Sequence, residues 1–374
     1  MKRLLILLPV LMLFHAGFSQ KTAEDYKNAG VAKVKSGDYK GGLKDLEKAL
    51  ELKNDYADAY NNIGITRYIM GEYGDAILNF NEAVRINSSF GQAYNNRGIA
   101  KAGLKDFEAA LKDYNKSIEL DPSNAKAFNN RGLAKMYLGE TGEALKDFNK
   151  SIELEPSNPE PYHNRALARV EDEDLNGAMS DFNKAIELNP KYADALYNRG
   201  FTKYEMKDHK GAMEDMNKAI GIAPKDPDNF YVLGLTKFDT GDIDGALKEF
   251  EKAQKMYGGG DGDCYFMAGL CKMKQKNFRG VIKDMDEVLK LNAEDAEAWF
   301  NKGAAKLELK EYEGAVADLT KAIDFFPFKA ESYYKRALAK LALNQKDAAC
   351  ADLKQALELG YQEAATKAKE NCNQ

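Results

Sequence analysis

Asparagine returns on one register of this 374-residue chain. Asn62, Asn96, Asn130, Asn164 and Asn198 follow one another at 34-residue intervals, and Asn301 stands on the same register after one added residue. A carboxamide carries two N–H donors and a carbonyl acceptor. Amides repeated along one face can therefore hydrogen-bond the main chain of an extended peptide whatever its sequence. The competing reading is local, each amide bonding only its own neighbourhood. A second series runs one residue ahead of the first: Asn61, Asn95, Asn129 and His163 early, then Tyr197, Tyr231, Phe266, Phe300 and Tyr334. The rings fit either tighter packing between neighbouring elements or the aromatic anchors of a binding surface.

Other chemistry is thin. His163 and His209 have no nucleophile or metal partner near them in sequence, and His15 lies in an apolar N-terminal stretch. There is no G-x-x-x-x-G-K loop and no H-E-x-x-H. Asp261 and Asp263 fall short of the ligand set of a calcium loop. The expectation is a chain that is not an enzyme, with no cofactor and no metal. A net charge of −5 gives no broad basic surface, so nucleic acid is not an expected partner.

The elements that carry these side chains are themselves repeated. Residues 92–124, QAYNNRGIAKAGLKDFEAALKDYNKSIELDPSN, return 34 residues later as KAFNNRGLAKMYLGETGEALKDFNKSIELEPSN. Such a period marks stacked supersecondary units. Aligned on Gly30, Gly64, Gly98, Gly132, Ala166, Gly200, Gly234, Gly269, Gly303 and Ala337, the units begin at Ala23, Ala57, Gly91, Ala125, Pro159, Ala193, Pro227, Gly262, Ala296 and Ala330. Numbered within the unit, position 4 is aromatic in all but one, where it is Leu196. Position 8 is glycine or alanine, position 20 is small in nearly all, and position 32 is proline at Pro122, Pro156, Pro190, Pro224 and Pro327. In this pattern the chain resembles the tetratricopeptide repeat (TPR) family over nearly its whole length. Small residues let two helix backbones approach, the aromatic fills the wedge between them, and proline ends the second helix. The implied fold is all-α, a right-handed α-solenoid superhelix of helix-turn-helix repeats.

At 100° per residue, positions 2, 6 and 13 of the first helix lie opposite the packed side, which holds positions 4, 8 and 11. The resemblance implies that this opposite side lines a concave groove for a protein or extended peptide. Position 6 is the asparagine series, and position 2 is acidic in eight units, among them Glu24, Asp58, Asp194, Asp228, Asp263 and Glu331. The acids serve either the groove or the helix dipole. The family's carboxylate clamp is not formed. Lys27 and Asn62 match it, but Val31, Gln92 and Asn96 stand where it needs asparagine, lysine and arginine. A third series pairs Lys or Arg at position 11, and Arg at position 7 (Arg97, Arg131, Arg165, Arg199, Arg336), with an acid at position 23 (Asp113, Asp147, Asp181, Asp215, Asp352). In a partly buried setting it would fix how units stack.

The expected organisation is a leader, 1–19, then repeats one to seven over 23–261. Repeats eight to ten follow over 262–360 after the glycine-rich 258–262, and a capping helix over 361–374. Lys2 and Arg3, an apolar run from Leu4 to Phe14, and Gly17 and Ser19 follow the plan of a cleaved secretory signal. No other stretch is apolar enough to span a membrane. Export, to a bacterial periplasm or to the outside, makes a Cys350–Cys372 disulfide expected, because the two flank a helix break at Gly360 at similar distances. The leading function is an exported TPR scaffold that mediates protein–protein interaction. The alternatives are glycan binding at the cell envelope, with sugars stacked on Tyr197, Tyr231 and Phe300, and a structural role through self-association.

Overall fold

A computed structural model describes residues 21–372. The leader read over 1–19 lies outside them. Residues 21–372 hold helices and turns and no strand. The chain divides into two compact units, Met1–Glu173 and Asp174–Gln374.

The first unit contains α1 (Ala23–Lys35), α2 (Tyr39–Leu52), α3 (Ala57–Ile69), α4 (Tyr73–Ile86), α5 (Gly91–Gly103), α6 (Phe107–Leu120), α7 (Ala125–Tyr137), α8 (Thr141–Leu154) and α9 (Pro159–Glu171). The second begins with α10 (Leu175–Leu188), α11 (Ala193–Glu205), α12 (His209–Ile222), α13 (Pro227–Asp239), α14 (Ile243–Met256) and α15 (Gly262–Lys274). It continues with α16 (Phe278–Leu291), α17 (Ala296–Glu308), α18 (Tyr312–Phe325), α19 (Ala330–Ala342), α20 (Lys346–Glu358) and α21 (Ala364–Asn371). The ten odd-numbered helices from α1 to α19 begin at the ten residues where the sequence units begin. Within each unit every helix packs on the next, and first helices of neighbouring repeats touch, as in α5 with α7. This is an α-solenoid.

The pairing follows from side-chain size. Gly132 faces the ring of Phe148, and a Cβ there would stand 2.7 Å from Phe148 Cε1. Phe148 is fully buried beside Ala144 and Ala168. Removing such a ring from water contributes on the order of 2–3 kcal/mol. The turn between paired helices is set at position 15, which is left-handed in every repeat. Gly37, Gly71, Gly139 and Gly241 take it, and so do Lys105, Glu173, Lys207, Lys276, Lys310 and Asn344. The second helix then often starts on an Asp or Asn cap, as where Asp106 accepts from the Ala109 N–H at 3.1 Å.

The charged series fixes the stacking. Arg131 donates to Asp147 through Nε at 2.8 Å and Nη2 at 2.6 Å, and its Nη1 reaches Asn115 of the preceding repeat at 2.7 Å. Lys135 completes the node on Asp147 at 2.8 Å. The arrangement recurs at Arg97–Asp113–Lys101, Arg199–Asp215–Lys203 and Arg336–Asp352–Lys340. One guanidinium therefore ties its own second helix to that of the repeat before it.

The glycine-rich segment lies inside the second unit. Gly258 and Gly259 have φ of 65° and 82°, α14 packs on α15 across them, and Asp261 caps α15 by accepting from the Cys264 N–H at 2.8 Å. Tyr257 donates its hydroxyl to Asp228. Beyond Gly360, at φ 92°, α21 turns back on α20, and Cys350 and Cys372 are disulfide-bonded with Cα atoms 5.7 Å apart. Cys264 and Cys271 are free thiols in the core of the second unit, and burial pushes the Cys271 thiol up to about 11.

Candidate functional site

The asparagine register and its neighbour meet in the first unit. Asn96 Nδ2 donates to Asn61 Oδ1 at 3.0 Å, Asn130 Nδ2 to Asn95 Oδ1 at 3.0 Å, and Asn164 Nδ2 to Asn129 Oδ1 at 2.9 Å. Each position-6 amide thus bonds the position-5 amide of the preceding repeat. Asn61, Asn95 and Asn129 are buried, and so is Asn164, whereas Asn96 and Asn130 stay half-exposed. These three rungs form where the preceding position 5 is an asparagine. Asn62 follows Lys27 and donates to the Asp58 carbonyl at 2.7 Å; Asn301 follows Phe266 and donates to the Glu297 carbonyl at 2.8 Å. Asn198 donates to the Asp194 carbonyl at 2.9 Å. One donor of each rung amide is committed to stacking; at half-exposed Asn96 and Asn130 the remaining N–H and the carbonyl oxygen are what a ligand can use, whereas buried Asn164 has its carbonyl oxygen 3.3 Å from His163 Nδ1. The position-5 acceptor role was not read from sequence, although its signal is there in the repeated Asn–Asn pairs.

Asn96 and Asn130 line a groove of about 830 Å³ across α5, α7 and the start of α9. Its floor is Asn95, Asn129 and Ile99, and its rim carries the position-2 residues Gln92, Lys126 and Glu160. The turns after α6 and α8 contribute Asp121, Asn124, Glu155, Ser157 and Asn158. A second hollow of about 460 Å³ shares Ile99 and Asn130 with the first and runs to the other end of the same helices. It is lined by Tyr68, Phe107, Leu133 and Tyr137. Phe107 and Tyr137 stack with centroids 4.6 Å apart, and Tyr137 is 71% exposed.

The aromatic series of the second unit is mostly packing. Tyr231 lies against Phe250, Tyr334 against Tyr361, and Phe300 is buried with the Lys329 ammonium 3.6 Å from its centroid. Tyr197 stacks loosely on Phe201, and burial, then Asp228 and Asp226, pushes its phenol up to about 12. Phe266 lines a cleft of about 440 Å³ that has Asp263 and Glu297 at its edge. Several position-2 acids are engaged within their own repeat. Glu24 accepts from Tyr56 and Lys27, and Glu297 pairs with Lys329 at 2.6 Å. Among the described residues no group of three or more His, Cys, Asp or Glu could hold a metal ion, and no helix is long and apolar enough to cross a membrane.

Tetratricopeptide repeat models match residues 57–90, 91–124, 125–158, 193–226, 266–330 and 330–359, and a TPR repeat model matches 30–68 and 168–207. No curated protein matches the chain. Among solved structures, a tetratricopeptide repeat protein from Parabacteroides merdae is 20% identical with a TM-score of 0.53, covering 67% of this chain and 98% of that one. The pilF protein of Pseudomonas aeruginosa is 19% identical with a TM-score of 0.50, covering 55% and 94%. A MamA protein is 29% identical with a TM-score of 0.40, covering 44% and 91%. The first two share the fold. With matched repeats over most of its length and paired helices on the same register, the chain belongs to the tetratricopeptide repeat family, whose members generally mediate protein–protein interaction.

Proposed function

We propose that this protein is an exported, non-enzymatic scaffold that binds an extended segment of a partner protein in the groove of its first unit. The observation that carries the reading is that groove, where half-exposed Asn96 and Asn130 stand over α5 and α7 with hydrogen-bonding capacity left after stacking. Main-chain recognition by amides needs donors and acceptors at fixed places on rigid elements, and the Arg–Asp–Lys nodes hold α5 and α7 rigid. The Cys350–Cys372 bridge supports an oxidising destination, since such bonds persist outside the cytosol. Packing of Tyr231 and Phe300 leaves little ring surface for stacking on sugars, so the glycan alternative has less support.

The Asn96 and Asn130 side chains are poor first probes, because changing them also removes rungs between repeats. Photo-crosslinking residues placed at the exposed rim positions Gln92 and Glu160 avoid this. In the native cell envelope or secretome they are expected to capture a discrete protein, which the same residue at exposed Lys112 on α6 does not capture. Equal capture from both faces, or none from the rim, sinks the reading. Recovery of the chain from the cytosol with residues 1–19 intact sinks the export part alone.

A further inference from the structure

The two hollows of the first unit differ in chemistry and adjoin at shared lining residues. The larger is edged by Asp121, Glu155 and Glu160 against one cation, Lys126. Among the described residues none of the three acids is in an ion pair. Asp121 accepts from the Ser123 N–H at 3.0 Å and Glu155 from Asn158 at 3.4 Å, so their charge is oriented but not neutralised. The smaller hollow is walled by Phe107, Leu133, Tyr68 and Tyr137 and has a single charge at its edge, Lys105. Ile99 and Asn130 belong to both.

We infer that the groove is specific for an extended segment carrying a lysine or arginine at one end and an aromatic or large aliphatic side chain at the other. This inference rests on the peptide-groove reading and names the partner's chemistry. Asp121 and Glu155, in the turns after α6 and α8, and Glu160 at the start of α9 attract the basic group, and Lys105 repels it from the opposite end, so the segment has one polarity. The large side chain enters between Phe107, Leu133 and Tyr137, and the main chain passes over Ile99 and Asn130. Length follows from the helix. Lys126 and Tyr137 are eleven residues apart on α7, about 16 Å at 1.5 Å per residue. An extended chain covers that in about five residues. The basic and apolar positions are therefore four to six residues apart. Eight charged or polar rim positions without aromatic walls would take any soluble peptide; the aromatic end is what makes the site selective.

The test uses the whole chain, immobilised and panned against a displayed library of random dodecapeptides. The expected selection is Lys or Arg four to six residues from Phe, Tyr, Trp or Leu. A fluorescein-labelled peptide of the selected sequence should lose about tenfold in affinity when its large apolar residue becomes Ala. It should lose about fivefold against a Glu155→Gln/Glu160→Gln chain, and weaken with added NaCl. Tyr137→Ala, at a largely exposed position, should cost a similar factor while the thermal midpoint stays near that of the parent; Lys105→Glu should not weaken binding. If the selected peptides lack a basic residue, or are acidic, yet lose affinity with Tyr137→Ala, this inference fails and the groove reading stands. No selection, or affinities indifferent to both the Tyr137 and the Glu155/Glu160 changes, overturns both.

Discussion

Arg199→Met isolates what one stacking node contributes. Arg199 places Nε 2.8 Å from Asp215 Oδ2 and Nη2 2.6 Å from Oδ1, and Nη1 reaches Asn183 of the preceding repeat at 2.7 Å. Asp215 is 1% exposed. Methionine keeps the apolar stem and removes all three bonds. The carboxylate would then keep Lys203 alone, 2.8 Å away. Removing one partner of a buried pair costs roughly 3–5 kcal/mol, and the remaining lysine offsets part of it. The expected loss is about 3 kcal/mol at neutral pH.

The chain contains its own control. In the eighth repeat position 7 is Ala268, and Asp284 has a single cation, Lys272, at 2.7 Å. Burial raises the pKa of Asp284 despite that lysine, whereas Asp215 is as deeply buried and is lowered, because Arg199 and Lys203 together outweigh the same desolvation. The signs are opposite. A lowered carboxyl stabilises the fold above its unfolded value near about 4 and loses that stability as pH falls through the folded value. A raised one gains stability as pH falls, with the gain complete below the unfolded value. Arg199→Met moves Asp215 towards the Asp284 state, so the 3 kcal/mol gap should narrow as pH falls from 7 towards 4. Urea unfolding followed by circular dichroism at both pH values reads the gap, and hydrogen exchange over 193–222 places it. A loss below about 0.5 kcal/mol, the level of an exposed pair, would refute the reasoning. So would a gap that stays constant with pH, or a cycle with Asp215→Asn that shows no coupling.

Three further outcomes follow from particular residues. Lys310 sits at φ 62°, where a glycine carries no Cβ penalty; Lys310→Gly should raise stability by about 1 kcal/mol, read in urea. Asn229 is fully buried with neither side-chain polar atom bonded, at the position where Ala59, Ala93, Ala127, Ala195 and Ala298 stand in other repeats. Relief of that desolvation outweighs the small space left behind, so Asn229→Ala should raise the thermal midpoint, with a gain of about 1 kcal/mol; a loss would mean the amide has a partner in solution. Cys350 and Cys372 close a loop of sequence separation 22, worth roughly 3 kcal/mol in the chain-entropy model. Replacing both with serine should abolish hydrogen-exchange protection in α21 and leave α17 and α18 unchanged.

How much of this was legible depended on whether a side chain answers to its own helix or to a neighbour. The starts of all ten first helices could be read from residues such as Gly91 and Pro159, because helix pairing is decided by size within one 34-residue text. The nodes were legible for a similar reason: Arg131 and Asp147 are 16 apart in one repeat, and the acid and bases recur together. The asparagine rungs were not. Position 6 at Asn130 is half-committed only because position 5 of the preceding repeat is Asn95, and position 6 at Asn301 differs because its predecessor is Phe266. A helical wheel drawn for one repeat puts Asn130 and Asn301 on the same face and cannot separate them. The polarity of the groove is a longer-range property still. It needs Glu155 from one turn, Glu160 from the next helix, and Phe107 beside Tyr137 across a repeat boundary; of these Tyr137 breaks the repeat, and the others stand on recurring positions that stacking brings together. In a solenoid the repeated residues specify the fold, so recognition has to be carried by residues that break the repeat or by pairings between repeats, where a single-unit alignment has least to say.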